Sequence, residues 1–230
     1  MHWIEPSTPL TIVYGAIVAA VVIAFLAGVR RVAPERLPLV AGITVAWLAL
    51  TGLLSGSGQL EARLPTSLFP FMGACNLLTL GVALSPLGAR LATLPLAALV
   101  GFHVFRLPLE VVLHRLHAEG TLPITMTWEG RNLDVVTGVL ALLLVPLLRG
   151  PVTPRKRALA MVFNGVGLAL LLNVMVTAIL SSPVPFRRFM ADPPVQLAFH
   201  VPWVWIVPVC VAGALGGHIV LFRALRAPPG

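Results

Sequence analysis

The sequence predicts an all-α membrane protein, a bundle of about seven transmembrane helices that forms one domain over residues 1–230. Hydrophobic residues make up 58% of the 230 residues and charged residues only 10%, whereas soluble domains carry about 25% charged residues. The mean hydropathy is +0.95. This composition excludes a soluble or disordered chain, and two cysteines are too few for a disulfide scaffold.

Apolar segments of the length that crosses a bilayer, about 20 residues, recur along the whole chain. Proline-containing connections separate them, such as the one that holds Pro34 and Pro38. The predicted spans are residues 8–29, 37–56, 68–86, 92–117, 133–149, 157–181 and 202–224. The fifth span is the shortest, and it reaches full length if Asn132 caps its first turn, a position that asparagine favours.

Basic residues give the chain a formal net charge of +8. They lie in short runs between the spans, which is typical of loops held in the cytoplasm and argues against a nucleic-acid partner. The more basic set of connections holds Arg30, Arg31, Arg36, Arg90, Arg149, Arg155, Lys156, Arg157, Arg223 and Arg226. We therefore expect a multi-pass inner-membrane protein with its N-terminus outside and its C-terminus in the cytoplasm. Its partners are the lipid bilayer and, as open alternatives, other membrane proteins or further copies of itself.

The fourth predicted span carries five titratable side chains, and these are His103, Arg106, Glu110, His114 and His117. Intervals of three and four residues place them within an arc of about 80° on one helix face. Each charged residue that faces lipid near the bilayer centre costs about 2.5–3.5 kcal/mol on insertion scales. The face must therefore point into the bundle or a water-filled cavity. Glu110, one turn from Arg106, is its expected ion-pair partner.

Pro108 lies between Arg106 and Glu110. Because proline has no amide hydrogen and clashes with the preceding turn, it predicts a kink that frees the carbonyl of Val104.

The connection after the fourth span adds polar groups at the same predicted outer level, where His200 also arrives. The residues predicted to line a ligand or proton pocket are His103, Arg106, Glu110, His114, His117, Glu129, Arg131, Asn132, Asp134 and His200. The alternative is a structural role, with a buried Arg106–Glu110 pair, interfacial histidines and a capped loop. Asn164, Asn173 and His218 are expected to form interhelical hydrogen bonds.

The segment F-R-x-x-x-E, followed by M-T-W-E-G-R-N-x-D and then by P-W-V-W and a histidine, resembles an uncharacterised family of small bacterial inner-membrane proteins. The matching residues are Arg106, Glu110, Met126, Thr127, Trp128, Glu129, Gly130, Asn132, Asp134, Trp203 and His218. The resemblance carries no established activity. It implies a functional role for its charged and amide residues, and it counts against a mechanism that rests on the fourth-span histidines alone.

Three functions follow from these observations. The preferred one is a pocket open to the outer face that binds or translocates a small polar or anionic ligand, or protons, with Arg106 as the anion anchor. The second is an accessory or assembly subunit of a larger membrane complex. The third is electron transfer through b-type haem held by His103, His117, His200 and His218, the only cofactor hypothesis that the sequence offers.

The sequence also excludes some functions. A retinal Schiff base is excluded because Lys156 is the only lysine and lies between spans. No nucleophile elbow, HExxH motif or phosphate loop is present, although an enzyme that acts on lipids stays open. Cys75 and Cys210 are expected to be free, buried thiols. Gly213, Gly216 and Gly217 predict a close helix contact.

Overall fold

A computed structural model describes residues 3–226, and within this range the chain forms helices and turns without any β-strand. The all-α prediction is confirmed. The α-helices in this range are α1 Thr8–Val32, α2 Leu37–Gly56, α3 Gln59–Ala62, α4 Leu68–Leu84, α5 Pro86–Leu91, α6 Leu96–Gly101, α7 Arg106–Ala118, α8 Val135–Leu147, α9 Pro154–Ser181 and α10 Ala212–Arg226.

Within the described range, five helical segments are long and apolar enough to cross a membrane, and each coincides with a predicted span. They are Thr8–Val32, Pro34–Gly56, Leu96–Ala118, Pro154–Ser181 and Trp203–Arg226. The third and fifth predicted spans correspond to shorter apolar helices, α4 with 17 residues and α8 with 13.

The fourth span is interrupted, but one turn earlier than Pro108 predicts. A 3₁₀ turn, Phe102–Phe105, separates α6 from α7, and α7 restarts at Arg106. Pro108 therefore sits in the first turn of α7, directly after the 3₁₀ turn. The break places Arg106 at the start of a new helix.

Asn132 does not cap the fifth span, so this prediction is wrong. Asp134 occupies the N-cap position of α8, which begins at Val135. The side-chain oxygen of Asn132 instead accepts a hydrogen bond of 3.1 Å from the backbone N–H of Asp134. This bond closes a turn before the helix starts and directs the Asn132 amide group toward α7.

The centre of the bundle is α10, which packs against α4, α6 and α9. Small residues allow this packing, because a Cβ atom on Gly216 would lie 2.6 Å from the side chain of Thr79, and one on Gly217 would lie 3.0 Å from His103. The predicted close contact is thus confirmed at these two glycines. A Cβ atom on Gly213 would make only ordinary van der Waals contacts. Cys75 and Cys210 are free and buried, as predicted.

A further irregularity leads into α10. Residues Trp203–Ile206 form a 3₁₀ turn, and Val207–Val211 form a π-helical turn that contains Pro208. Such π turns occur mostly as local insertions in helices, often at functional sites.

The connections separate into two groups at opposite ends of the helices. Where α1 begins, the backbone N–H of Ser7 donates to Glu119 at 2.8 Å, and Thr121 donates to the carbonyl of Ile4 at 3.1 Å. Where α1 ends, Glu35 pairs with Arg90. At that same end of the bundle, Arg223 donates to the carbonyl of Ser85 at 3.0 Å, and Arg157 to that of Leu225 at 2.9 Å.

Candidate functional site

The centre of the site is Arg106, the first residue of α7, which is 1% exposed. Its Nε donates to Oδ2 of Asp134 at 2.6 Å, and its Nη2 donates to Oδ1 of the same carboxylate. This is the paired geometry in which a guanidinium binds a carboxylate most strongly. The predicted Arg106–Glu110 pair is therefore wrong, because both donors on this edge of the guanidinium are engaged by Asp134.

Glu110 has a different partner. The side-chain N–H of Asn132 donates to Oε2 of Glu110 at 2.7 Å and also contacts the carbonyl of Met126 at 3.2 Å. Asn132 is fully buried and Glu110 is 2% exposed. Through its bond to the Asp134 backbone, Asn132 links the two carboxylates that flank Arg106.

The other edge of the guanidinium reaches α10. Nη1 of Arg106 lies 2.9 Å from Nε2 of His218, and Nδ1 of His218 lies 2.9 Å from Oδ1 of Asn164. Because arginine only donates, Nε2 must accept, so the ring proton is on Nδ1 and is donated to Asn164. The expected interhelical bonds of His218 and Asn164 are confirmed.

These contacts form one continuous system, which we call the buried polar network. Its members are all buried, and they are Arg106, Glu110, Asn132, Asp134, Asn164 and His218. They come from α7, α9, α10 and the loop between α7 and α8. Thr137 on α8 adds a bond of 3.2 Å to Asp134. The network runs from that loop into the bundle centre.

Glycines provide the space that the network needs. A Cβ atom on Gly167 would lie 2.6 Å from the ring of His218, and one on Gly138 would lie 2.5 Å from the backbone nitrogen of Leu107. Gly138 therefore lets α8 approach α7, and Gly167 leaves room for the imidazole. In the loop, a Cβ atom on Gly130 would lie 2.1 Å from the carbonyl oxygen of Ile124, so this tight turn requires glycine.

A cavity of about 90 Å³ adjoins the network. Arg106, Glu110 and Asp134 form its polar wall, and the other lining residues are mainly apolar side chains of α4, α7, α9 and the segment that leads into α10. Within residues 3–226, Glu110 accepts one hydrogen bond, from Asn132 to Oε2. Its Oε1 is therefore available to another donor.

His103 lies beside the network without joining it. Its ring stacks on that of His218 with centroids 4.1 Å apart, and it is fully buried. Neither of its ring nitrogens has a hydrogen-bond partner among the described residues.

The remaining predicted pocket residues lie outside the buried polar network. His114 stacks on Trp128 at 4.2 Å, and its Nε2 lies 3.9 Å from the exposed carboxylate of Glu129. Nδ1 of His117 lies 2.9 Å from the carbonyl of Leu122.

Arg131 and His200 lie apart from these contacts. The guanidinium of Arg131 lies over the ring of Phe189 at 4.5 Å, and His200 stacks on Trp3 at 3.8 Å. Burial lowers the pKa of His200, against the opposing effect of the Glu61 and Glu5 carboxylates.

The histidine geometry does not fit a b-type haem. A bis-histidine haem requires two imidazoles on opposite sides of the iron, each with a free nitrogen. His218 uses both nitrogens for Arg106 and Asn164, and His103 stacks directly on it. His117 contacts the carbonyl of Leu122 through Nδ1, and His200 stacks on Trp3.

The comparison with known families decides where the chain belongs. The family model for a domain of unknown function, DUF8737, matches residues 63–226. The chain belongs to this family. The expected membership of an uncharacterised family is thereby confirmed, and the DUF8737 region contains every residue of the buried polar network. Neither a curated protein nor a solved structure matches the chain.

In this DUF8737 protein, the sequence assigned Asn164 only to helix packing, and His218 to helix packing or, in the haem hypothesis, to haem binding. Both are single polar residues in apolar segments, which carry little signal by themselves. The M-T-W-E-G-R-N-x-D segment was the stronger indication, since it supplies Asn132 and Asp134.

Proposed function

We propose that this chain is a proton-translocating protein of the bacterial inner membrane, with seven spans, an outer N-terminus and a cytoplasmic C-terminus. The two groups of connections support this topology. The basic connections meet where Glu35, Arg90 and Arg223 lie, and the less basic ones meet where Ser7 and Glu119 lie. Segregated arginine-rich loops are held in the cytoplasm.

The observation that carries the functional proposal is the continuity of the buried polar network. Intramembrane titratable residues are costly, and chains of Asp, Glu and His side chains commonly serve as proton relays. Here Asn132 joins the Glu110 carboxylate to the backbone of Asp134, and the Asp134 carboxylate is joined through Arg106 to His218. An isolated ion pair would not require Asn132 and Asn164 to extend it in both directions.

Protons fit this site better than a small anion does. Asp134 and His218 already occupy Arg106, so the anion-anchor role expected for this guanidinium has no free donor edge. Glu110 has an unoccupied oxygen beside the cavity. We assign Glu110 as the group that exchanges protons with the outer side.

The inner half of the bundle closes the pathway. Beyond His218, an apolar cluster that includes Val100, Ala141, Phe163 and Leu221 fills the bundle interior. Protons do not cross a dry apolar layer without a polar path. Translocation therefore requires the helices around this cluster to move, as in alternating-access transport.

Proton flux into liposomes tests the proposal. Purified protein is reconstituted with a pH-sensitive dye inside the vesicles, and a potassium gradient with valinomycin sets a negative interior potential. We expect internal acidification with the wild-type protein. Glu110→Gln, which keeps the hydrogen bond of Asn132 but removes the exchangeable proton, should abolish it.

Glu61→Gln is the matched control, since its carboxylate is on α3 and outside the network. This variant should retain the wild-type flux. Equal acidification by protein-free vesicles, or full flux in Glu110→Gln, would refute proton translocation. If the purified protein shows no proton flux in liposomes but still supports growth of cells that require it, the accessory-subunit function would be favoured instead.

A further inference from the structure

We infer that the cavity beside Glu110 is a binding site for a cationic amphiphile, a molecule with an ammonium head group and an alkyl chain that enters from the bilayer. The inference rests on the proposed function and specifies the ligand of the same site. One lipophilic cation takes the place of one proton at Glu110, so the cation competes with proton translocation and is not required for it.

Glu110 offers one carboxylate oxygen to a ligand. Glu110 is buried and lines the cavity, but within residues 3–226 only Asn132 donates to it, through Oε2. Its Oε1 has no hydrogen-bond partner in this range and is available to a donor that enters the cavity. An ammonium group in the cavity would donate to Oε1 and lie in contact with apolar walls.

The cavity wall holds more acidic than basic side chains. One guanidinium, on Arg106, faces two carboxylates, on Asp134 and Glu110. Since Arg106 is paired with Asp134 on both oxygens, Glu110 has no cationic partner of its own. With Glu110 ionised, the wall carries one net negative charge, which attracts a cation and repels an anion.

The volume of the cavity limits the size of the ligand. A volume of about 90 Å³ is smaller than the cavities of about 150 Å³ that accommodate benzene. It admits a small head group and the first carbons of a chain, and not a bulky aromatic cation.

The alkyl chain of the ligand has a route from the cavity to the lipid. The half-buried residues Met72 on α4 and Met175 and Ile179 on α9 line the cavity and also reach the molecular surface. Helices α4 and α9 both pack against α10. Methionine side chains adapt to ligands of varied shape, so this side of the cavity suits a flexible alkyl chain.

The exchange balances in charge and atoms. The ammonium group enters and forms a hydrogen-bonded ion pair with the Glu110 carboxylate. The proton previously held by that carboxyl group leaves to the outer solution. One positive charge enters as another leaves, so the buried site keeps its net charge.

Binding of radiolabelled decylammonium to the purified, detergent-solubilised protein tests the inference, with unlabelled decyl sulfate and decanol as competitors. We expect saturable binding that neither competitor displaces at equal concentration. Glu110→Gln should weaken it about 10- to 100-fold, the factor for a lost hydrogen bond to a charged group. Leu171→Phe, which fills the cavity without changing charge, should weaken it as well. Glu61→Gln should bind as the wild type does.

Size-exclusion profiles identify any variant that does not fold. Displacement by decyl sulfate or decanol, or unchanged binding in both Glu110→Gln and folded Leu171→Phe, would overturn the inference. Proton release on binding, followed with a pH indicator in weakly buffered solution, separates the two proposals. Selective binding of decylammonium without proton release would support the cation site and contradict the exchange of a cation for a proton. Proton flux in liposomes without selective binding would retain proton translocation and reject the cation site.

Discussion

At the scale of single residues, the choice of ion-pair partner for Arg106 determines the chemistry of the site. Spacing alone favours Glu110, because residues four apart on a helix are neighbours. The structure instead provides a carboxylate from another segment that meets two guanidinium nitrogens at once. Helical side chains lean toward the N-terminus, so Arg106 reaches back toward α9 and α10 and leaves Glu110 to Asn132.

The buried Arg106–Asp134 pair predicts the behaviour of single and double variants. Arg106→Leu or Asp134→Leu alone leaves an uncompensated buried charge and should destabilise the protein by about 3–5 kcal/mol. The double variant removes both charges and should regain most of the lost stability. Reversible unfolding in mixed micelles measures these differences.

The double variant also separates stability from function. We expect it to be stable but inactive in the liposome proton-flux assay, because the network is broken between Asn132 and His218. A stable double variant with wild-type flux would show that the pair serves only as scaffolding.

At the scale of secondary-structure elements, the site depends on close approaches of α7, α8, α9 and α10. The break before Arg106 starts α7 at the level of the network, and Gly138 lets α8 approach it. On α9, Gly167 leaves space for His218 and the adjacent Thr137. The 3₁₀ turn before α7 and the two glycines therefore bring the residues of the buried polar network together.

Two glycines on α9 provide a matched test of this packing. A Cβ atom on Gly167 would lie 2.6 Å from Cε1 of His218, whereas nothing lies within 4 Å of one on Gly165. Gly167→Ala should destabilise the protein by about 1–3 kcal/mol through overpacking. Gly165→Ala should be neutral or stabilising by up to about 1 kcal/mol, since alanine favours helix. Thermal unfolding of both variants in one detergent makes the comparison, and equal effects would contradict it.

At the scale of the whole molecule, the distribution of charge predicts topology. In cells, a membrane-impermeant maleimide should label Glu129→Cys from the outside, and label Arg155→Cys only after the membrane is opened. Cys75 and Cys210 are 1% and 2% exposed, so the unmodified chain should give a low background. Labelling of both sites in intact cells would contradict the seven-span topology.

The sequence by itself determined the all-α class, the position of every long helix and the polar character of the fourth span. These are local properties, since hydropathy and helical spacing depend on residues within a few turns of one another. Only the tertiary structure decided which polar groups meet. Asp134 is 28 residues from Arg106 and His218 is 112 residues away, and no periodic pattern relates such distant positions. Their contact depends on how α8, α9 and α10 pack around α7, which is set by the close-packed interior as a whole.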